Sequence, residues 1–331
     1  MSRASGIGSW PGSDIRQALS AVRNLLSEAG LPYLPELPER GPGADIIGRG
    51  AGLLAELAVD LQPMGWRFVD RPGQDARRTS ALWRQDLDEL AEAFDGYEGD
   101  LKVQIAGPWT LASSIWLHRG ERSVVDAGAT RDLIASLAEG LSVHLGELAR
   151  LVPKASFVVQ IDEPGLPSVL SGELPTASGF GRIRAVDPTV VVEGLGDVIA
   201  AAGDRHTVVH CCAGDVPLVL LRETGVKAVS IDTSLLGPRG WESVAATVES
   251  GVELWAGVVP TDLDKSDETK VKDVFSPLLA AWHRVGLPLP DLSGVTLTPA
   301  CGLAGLTPQG ARSVQQLAVD AARALTETAG S

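Results

Sequence analysis

The sequence predicts an α/β protein of the (β/α)8, or TIM, barrel class, and three observations carry that reading. Short runs with strand character recur from one end of the chain to the other, and most are β-branched and apolar at successive positions, as strands covered on both faces are. Stretches of helical period separate them, which argues for parallel βαβ units. Reactive side chains gather at the C-terminal ends of the runs: Ser9, Asp70, Asp162, His210 with Cys212, Asp232 and Cys301. Barrels place their chemistry at that end. An open doubly wound sheet is the second choice; strand count and the crowd of polar strand ends favour the barrel.

The first run, GIGSW (6–10), leads through a Pro-Gly turn into a helix over Ser13–Gly30, with Ser13 or Asp14 as N-cap. The Pro-rich LPYLPELPERGPG (31–43) reads as the loop after it. GWRFVD (65–70) supplies the second strand, and Asp75–Phe94 repeats apolar residues at three-to-four spacing. LKVQIAG (101–107) precedes a helix over Ala127–Leu151. ASFVVQID (155–162) opens a Gly/Pro-rich stretch to 181, long enough for a lid or wall, and then a helix over Asp187–Ala202. HTVVHCC (206–212) pairs with the helix Val216–Thr224, KAVSID (227–232) with Gly240–Glu249, and ELWAGVV (253–259) with Asp264–Val285. VTLTPAC (295–301) and Thr307–Thr328 complete the series. Strand and helix units continue on both sides of every Gly/Pro patch, so residues 1–331 read as a single catalytic domain.

Of the 331 residues 44% are hydrophobic and 21% charged, the balance of a globular protein with a large core. The net charge of −14 disfavours nucleic acid and anionic membrane as partners, since both require a positive face. The chain has no apolar run long enough to span a bilayer, and MSRASGIGSWPGSD lacks the apolar stretch of a signal peptide. A cytoplasmic location is therefore expected. Three cysteines, two of them adjacent, exclude a disulfide framework and point to reduced thiols.

Alternate residues of a strand share a face, so His210 and Cys212 are neighbours while Cys211 faces away into packing. An imidazole and a thiolate from His210 and Cys212, a thiolate from Cys301 and a carboxylate from Asp232 would make a tetrahedral set suited to Zn²⁺. Such a thiolate-rich site acidifies a bound thiol, and the natural chemistry is alkyl transfer to sulfur. Hydrolysis competes, because zinc also acidifies water. In QIDEP (160–164), Asp162 is equally an acceptor for a substrate ammonium or a turn carboxylate. In GIGSWPG, Gly8 and Ser9 offer backbone N–H groups for a carboxylate, unless the segment is a plain strand exit.

With those residues in view, the chain resembles the catalytic C-terminal domain of cobalamin-independent methionine synthase, as a stand-alone core form. The motifs IGSWP, IAGPWTLA, QIDEP, HCC, SIDTS and PACGL follow in family order over nearly the whole length. The resemblance implies a zinc-dependent barrel of the uroporphyrinogen decarboxylase/methionine synthase-like superfamily, methylating the sulfur of homocysteine to give methionine. It implies His210, Cys212, Asp232 and Cys301 as zinc ligands, Ile7, Gly8 and Ser9 on the homocysteine backbone, and Asp162 on its amino group. Asp232 stands where the family has Glu. Asp262, in GVVPTD, stands at the place of the family's general-acid histidine. Ser114 replaces the folate-stacking tryptophan, with Trp116 nearby, and Ser168 replaces a glutamate after IDEP. The thiol-activating half is kept and the donor half is altered, so the methyl donor is a methylated corrinoid or methyltetrahydrofolate. The alternatives are another thiol alkyltransferase, a metal-free decarboxylase-like lyase on the same barrel, or a binding protein that transfers nothing.

Overall fold

A computed structural model describes residues 2–28, 30–262 and 269–330. Eight parallel strands build the barrel: β1 (Arg3–Ser5), β2 (Gly30–Leu31), β5 (Gly99–Ala106), β6 (Ala155–Asp162), β7 (His206–Cys211), β8 (Ala228–Asp232), β9 (Glu253–Val259) and β10 (Thr296–Pro299). Their order is β2-β1-β10-β9-β8-β7-β6-β5. The ring closes where the chain just past β2 meets β5: Tyr33 bridges Lys102, Leu34 N–H donates to the Lys102 carbonyl at 3.0 Å, and Lys102 N–H donates to Pro32 at 2.8 Å.

The predicted first and second strands are corrected. The first, expected at 6–10, is Arg3–Ser5; residues 6–10 are the loop at its end, where Ser9 forms an isolated bridge with Glu36. The second is only Gly30–Leu31, so the preceding helix α1 (Ile15–Leu26) stops short of the expected Gly30. A Cβ on Gly30 would lie 2.5 Å from the Ala4 carbonyl oxygen, so glycine is required for this strand to pair. GWRFVD instead supplies β4 (Gly65–Val69), an antiparallel hairpin with β3 (Ala58–Gln62) outside the barrel. Its alternating Trp66 and Phe68 serve a hairpin that buries Trp66. Asp70 is therefore exposed at the hairpin's end and not at a barrel strand end.

The remaining units follow the expected alternation. After α1, whose first turn Asp14 caps by accepting Gln17 N–H at 3.1 Å, come α2 (Ile46–Ala51), α3 (Gln74–Ala93), α4 (Pro108–Ser114), α5 (Ala127–Leu151) and α6 (Leu166–Ser171). Then follow α7 (Pro188–Ala201), α8 (Leu218–Glu223), α9 (Pro238–Glu249), α10 (Val271–Arg284) and α11 (Pro308–Ala329). Three of these, α2, α4 and α6, are one- to two-turn helices that the sequence reading did not place, α6 within the stretch expected to be a lid or wall. Residues 264–268 of the expected helix Asp264–Val285 lie outside the described residues. No helix among the described residues is long and apolar enough to cross a membrane.

Leu31, Val158, Val208, Ala228 and Trp255 form an apolar plug in the barrel interior. One step further along the same strand faces, the interior turns polar: Gln160 and then Asp162 on β6, His210 on β7, Ser230 and then Asp232 on β8. Period-two alternation thus seals one end of the barrel and leaves titratable groups at the other.

Candidate active site at the barrel mouth

Cys212 follows β7 directly and Cys301 lies two residues past β10, yet their sulfurs are 3.6 Å apart. The two thiols are hydrogen-bond partners. Cys301, the more exposed, is pulled down to about 6, chiefly by the hydrogen bond with Cys212 and further by the Gly302 N–H, while burial opposes this. Cys212 is pushed up, first by that same hydrogen bond and then by burial. The pair therefore places two coupled sulfurs at the mouth, Cys301 the more exposed. Cys211 is buried on the other face, its thiol pushed up to about 12 by burial, as strand parity predicts for a packing residue.

His210 is buried beside them. Its Nδ1 lies 3.1 Å from the Ser230 hydroxyl oxygen and 3.2 Å from the Ser230 carbonyl. A carbonyl only accepts, so Nδ1 carries the proton and Nε2 keeps its lone pair. Burial, with the charge of Lys102, holds the ring down to about 3, so it is neutral. Asp232 caps the short turn Thr233–Leu235, where its Oδ1 accepts from Ser234 N–H at 2.9 Å and the Ser234 hydroxyl at 2.6 Å. The donor chemistry suits zinc: two sulfurs within hydrogen-bond reach of each other, a neutral imidazole with a fixed tautomer, and a carboxylate with one oxygen tied to its own loop. Among the described residues, no three His, Cys, Asp or Glu side chains are gathered into ligating positions.

Ser9 borders the thiols. Its carbonyl accepts Leu303 N–H at 3.0 Å, and a Cβ on Gly302 would sit 2.1 Å from its hydroxyl oxygen. The Ile7 carbonyl is held by Lys102 Nζ at 2.7 Å and Gln160 Nε2 at 2.8 Å, and the Gly8 carbonyl accepts Glu36 N–H at 3.0 Å. Asp162 is buried, pairs with His210 across the β6–β7 register, and accepts from Gln160 Nε2 at 2.7 Å. Burial pushes its carboxyl up to about 8, Glu36 pushes the same way, and Lys102 opposes. Asp262 is exposed in the loop after β9. Trp116 is buried, and its backbone bridges the hairpin at Arg67, with the Arg122 guanidinium over its ring.

Four residues escaped the sequence reading: Glu36, Lys102, Gln160 and, as a structural group, Glu163. Glu36 is buried and raised by desolvation, within reach of Arg49 at 3.6 Å. Its Pro-rich loop disguised it. The signal for Lys102 and Gln160 was present: a polar residue at every second position of LKVQIAG and VVQID, within otherwise apolar runs.

A parallel eight-stranded barrel with a reactive thiol pair at its C-terminal mouth belongs to the class of barrel enzymes that do chemistry on small ligands. The chain belongs to the family described as cobalamin-independent synthase, catalytic domain, whose profile matches residues 2–324. It is a family of methyltransferases. Among solved structures, a B12-independent methionine synthase from Shewanella sp. W3-18-1, in complex with selenomethionine, is similar at 13% identity with a TM-score of 0.53, over 80% of this chain and 71% of that one. That likeness is one of fold. A mutant methylaspartate ammonia lyase from Clostridium tetanomorphum is similar at 12% identity with a TM-score of 0.45, over 99% of this chain and 60% of that one, too low to carry an argument. No curated protein matches the chain by sequence.

Proposed function

We propose that residues 1–331 act as a single catalytic barrel domain that methylates the thiol of homocysteine to give methionine, with zinc as cofactor. The observation that carries this reading is the Cys212–Cys301 pair, 3.6 Å apart, beside Ser9 and on the same mouth as Asp162. His210 through Nε2, Cys212, Cys301 and Asp232 through its second oxygen would hold the metal. Zinc, when bound, would acidify the substrate thiol. The chain's own residues do the rest. Asp162 accepts from the substrate ammonium, the Ile7–Ser9 segment meets its carboxylate, and the two place the sulfur at the thiol pair. Transfer forms one S–CH3 bond and breaks the bond from methyl to donor, and the thiol proton leaves to solvent.

The donor is a methylated corrinoid or methyltetrahydrofolate. The buried, hairpin-tied Trp116 and the small Ser114 offer no exposed indole for stacking a pterin, which favours the corrinoid. Reduced thiols fit the cytoplasm, and the charge of −14 disfavours nucleic acid and anionic membrane as partners. The test offers homocysteine with methylcobalamin or with methyltetrahydrofolate to the purified protein, and measures methionine and bound metal. Methionine and stoichiometric zinc are expected; no methionine from either donor, in protein that binds zinc, would refute methyl transfer.

A second expectation concerns the imidazole. Ser230→Ala removes one acceptor that fixes the His210 ring, and zinc affinity is expected to fall about tenfold. Competition with a chromophoric chelator measures this. An unchanged affinity would show that the Ser230 carbonyl alone orients His210.

A further inference from the structure

We infer that Lys102 is a positioning residue that holds both halves of the amino-acid site, the Ile7–Ser9 segment and Asp162, in one buried frame. The inference rests on the proposed reading that the substrate thiol carries an amino-acid head.

Lys102 is fully buried inside the barrel, where burial pulls the pKa of its ammonium down and Asp162 and Glu36 pull it back up, so the charge is tolerated only with its donors satisfied. All three are engaged: the Ile7 carbonyl at 2.7 Å, Gln160 Oε1 at 2.8 Å and Gln104 Oε1 at 3.3 Å. An ammonium has no acceptor, so it dictates which way both amides face. With Gln160 Oε1 turned to Lys102, its amide nitrogen must face the other way. That nitrogen donates to the Ile7 carbonyl at 2.8 Å and to Asp162 Oδ1 at 2.7 Å. Gln104, oriented by the same cation, donates to the Leu34 carbonyl at 2.7 Å and so anchors the loop that carries Glu36. One oxygen of Asp162 is thereby fixed, and its rotamer with it, leaving Oδ2 for a substrate ammonium.

The frame meets the two sulfurs only through Asp162, whose charge reaches Cys212 and Cys301. Neither Lys102 nor Gln160 makes a hydrogen bond to Cys212, Cys301 or His210. The charge of Lys102 does reach His210, but burial is the larger force keeping that ring neutral. Loss of the frame should therefore weaken recognition of the amino-acid head and spare reaction at sulfur.

Two variants test this. Lys102→Met removes the cation. Gln160→Glu leaves Lys102 a buried ion-pair partner but replaces the donor facing Asp162 with a carboxylate oxygen, so it protects against the case where Lys102→Met fails to fold. Each is compared with wild type for homocysteine and for 1-propanethiol, a thiol without the amino-acid head, by KM, kcat and calorimetric Kd, with circular dichroism as the check on folding. For homocysteine, KM and Kd are expected to rise about tenfold or more, as for loss of a hydrogen bond to a charged group. For propanethiol, kcat/KM should stay within about twofold. An unchanged homocysteine KM in folded Gln160→Glu overturns the inference, and so does an equal loss with both thiols. A wild-type protein that methylates propanethiol but shows no preference for homocysteine would overturn the amino-acid reading itself, and the role of Lys102 with it.

Discussion

Cys301→Ala is expected to abolish methyl transfer and to weaken zinc binding by at least about a hundredfold, more than the loss of an outer-sphere partner causes. The reason lies in how the pair is built. Cys301 reaches Cys212 from a different strand end, and the two sulfurs are hydrogen-bond partners that would both face the metal. Without Cys301, Cys212 reverts to an isolated, half-buried thiol. Cys212→Ala should give the same result. Cys211→Ala is the internal control: that side chain is wholly buried on the opposite face, so zinc and turnover should hold while stability drops by about 1 kcal/mol. Metal analysis after dialysis, with the methionine assay on the same samples, reads all three. Full zinc and full turnover in Cys301→Ala would remove Cys301 from the site.

The approach of Cys212 to Cys301, with Cys211 buried behind, was legible because parity along a strand is a local property. His210 and Cys212 in one orientation and Cys211 in the other follow from the two-residue repeat alone. The placement of Cys301 needed only the rule that barrel chemistry sits past strand C-termini. The errors have a different origin. Gly30–Leu31 is two residues long, lies at a helix end and precedes a proline; nothing local marks it as a strand. It exists because β1 and the Tyr33–Lys102 bridge hold it. GWRFV has good strand character and is a strand, but its partner is the adjacent Ala58–Gln62. Propensity identifies extended chain and does not say which sheet receives it. The amino-acid frame was missed for a related reason. Lys102 and Gln160 stand in what look like core runs, and a buried lysine reads as an anomaly until the carbonyl of Ile7, 95 residues away, is seen to receive it.

Two of the motifs that carried the family resemblance, IAGPWTLA and QIDEP, turn out to be one structural unit, and the most severe loss of stability is expected there. Glu163 is wholly buried at the end of β6 and caps the start of α4: Oε1 accepts Trp109 N–H at 2.9 Å, and Oε2 accepts Thr110 N–H and the Thr110 hydroxyl, both at 2.7 Å. A Cβ on Gly107 would lie 2.4 Å from Oε1, so the glycine of GPWT makes room for the carboxylate of IDEP. Glu163→Ala leaves two buried backbone donors unpaired and opens a void. At about 1–3 kcal/mol per unpaired group, roughly 3–5 kcal/mol should be lost, read as a lower urea midpoint with unchanged slope. A loss under about 1 kcal/mol would mean that water replaces the carboxylate. Glu163→Gln keeps the shape and removes the titration. Burial pushes the wild-type carboxyl from 4.5 up to about 7, against the pull of the Thr110 and Trp109 donors. Below 4.5 folded and unfolded chains both hold the proton. From there to about 7 only the folded chain does, so rising pH disfavours folding by up to about 1.4 kcal/mol per pH unit. Above 7 both are ionised and that contribution is gone. Wild type should therefore lose stability relative to Glu163→Gln as pH climbs from 4.5 through 7, and parallel urea midpoints across that window would instead place the folded carboxyl near its ordinary value.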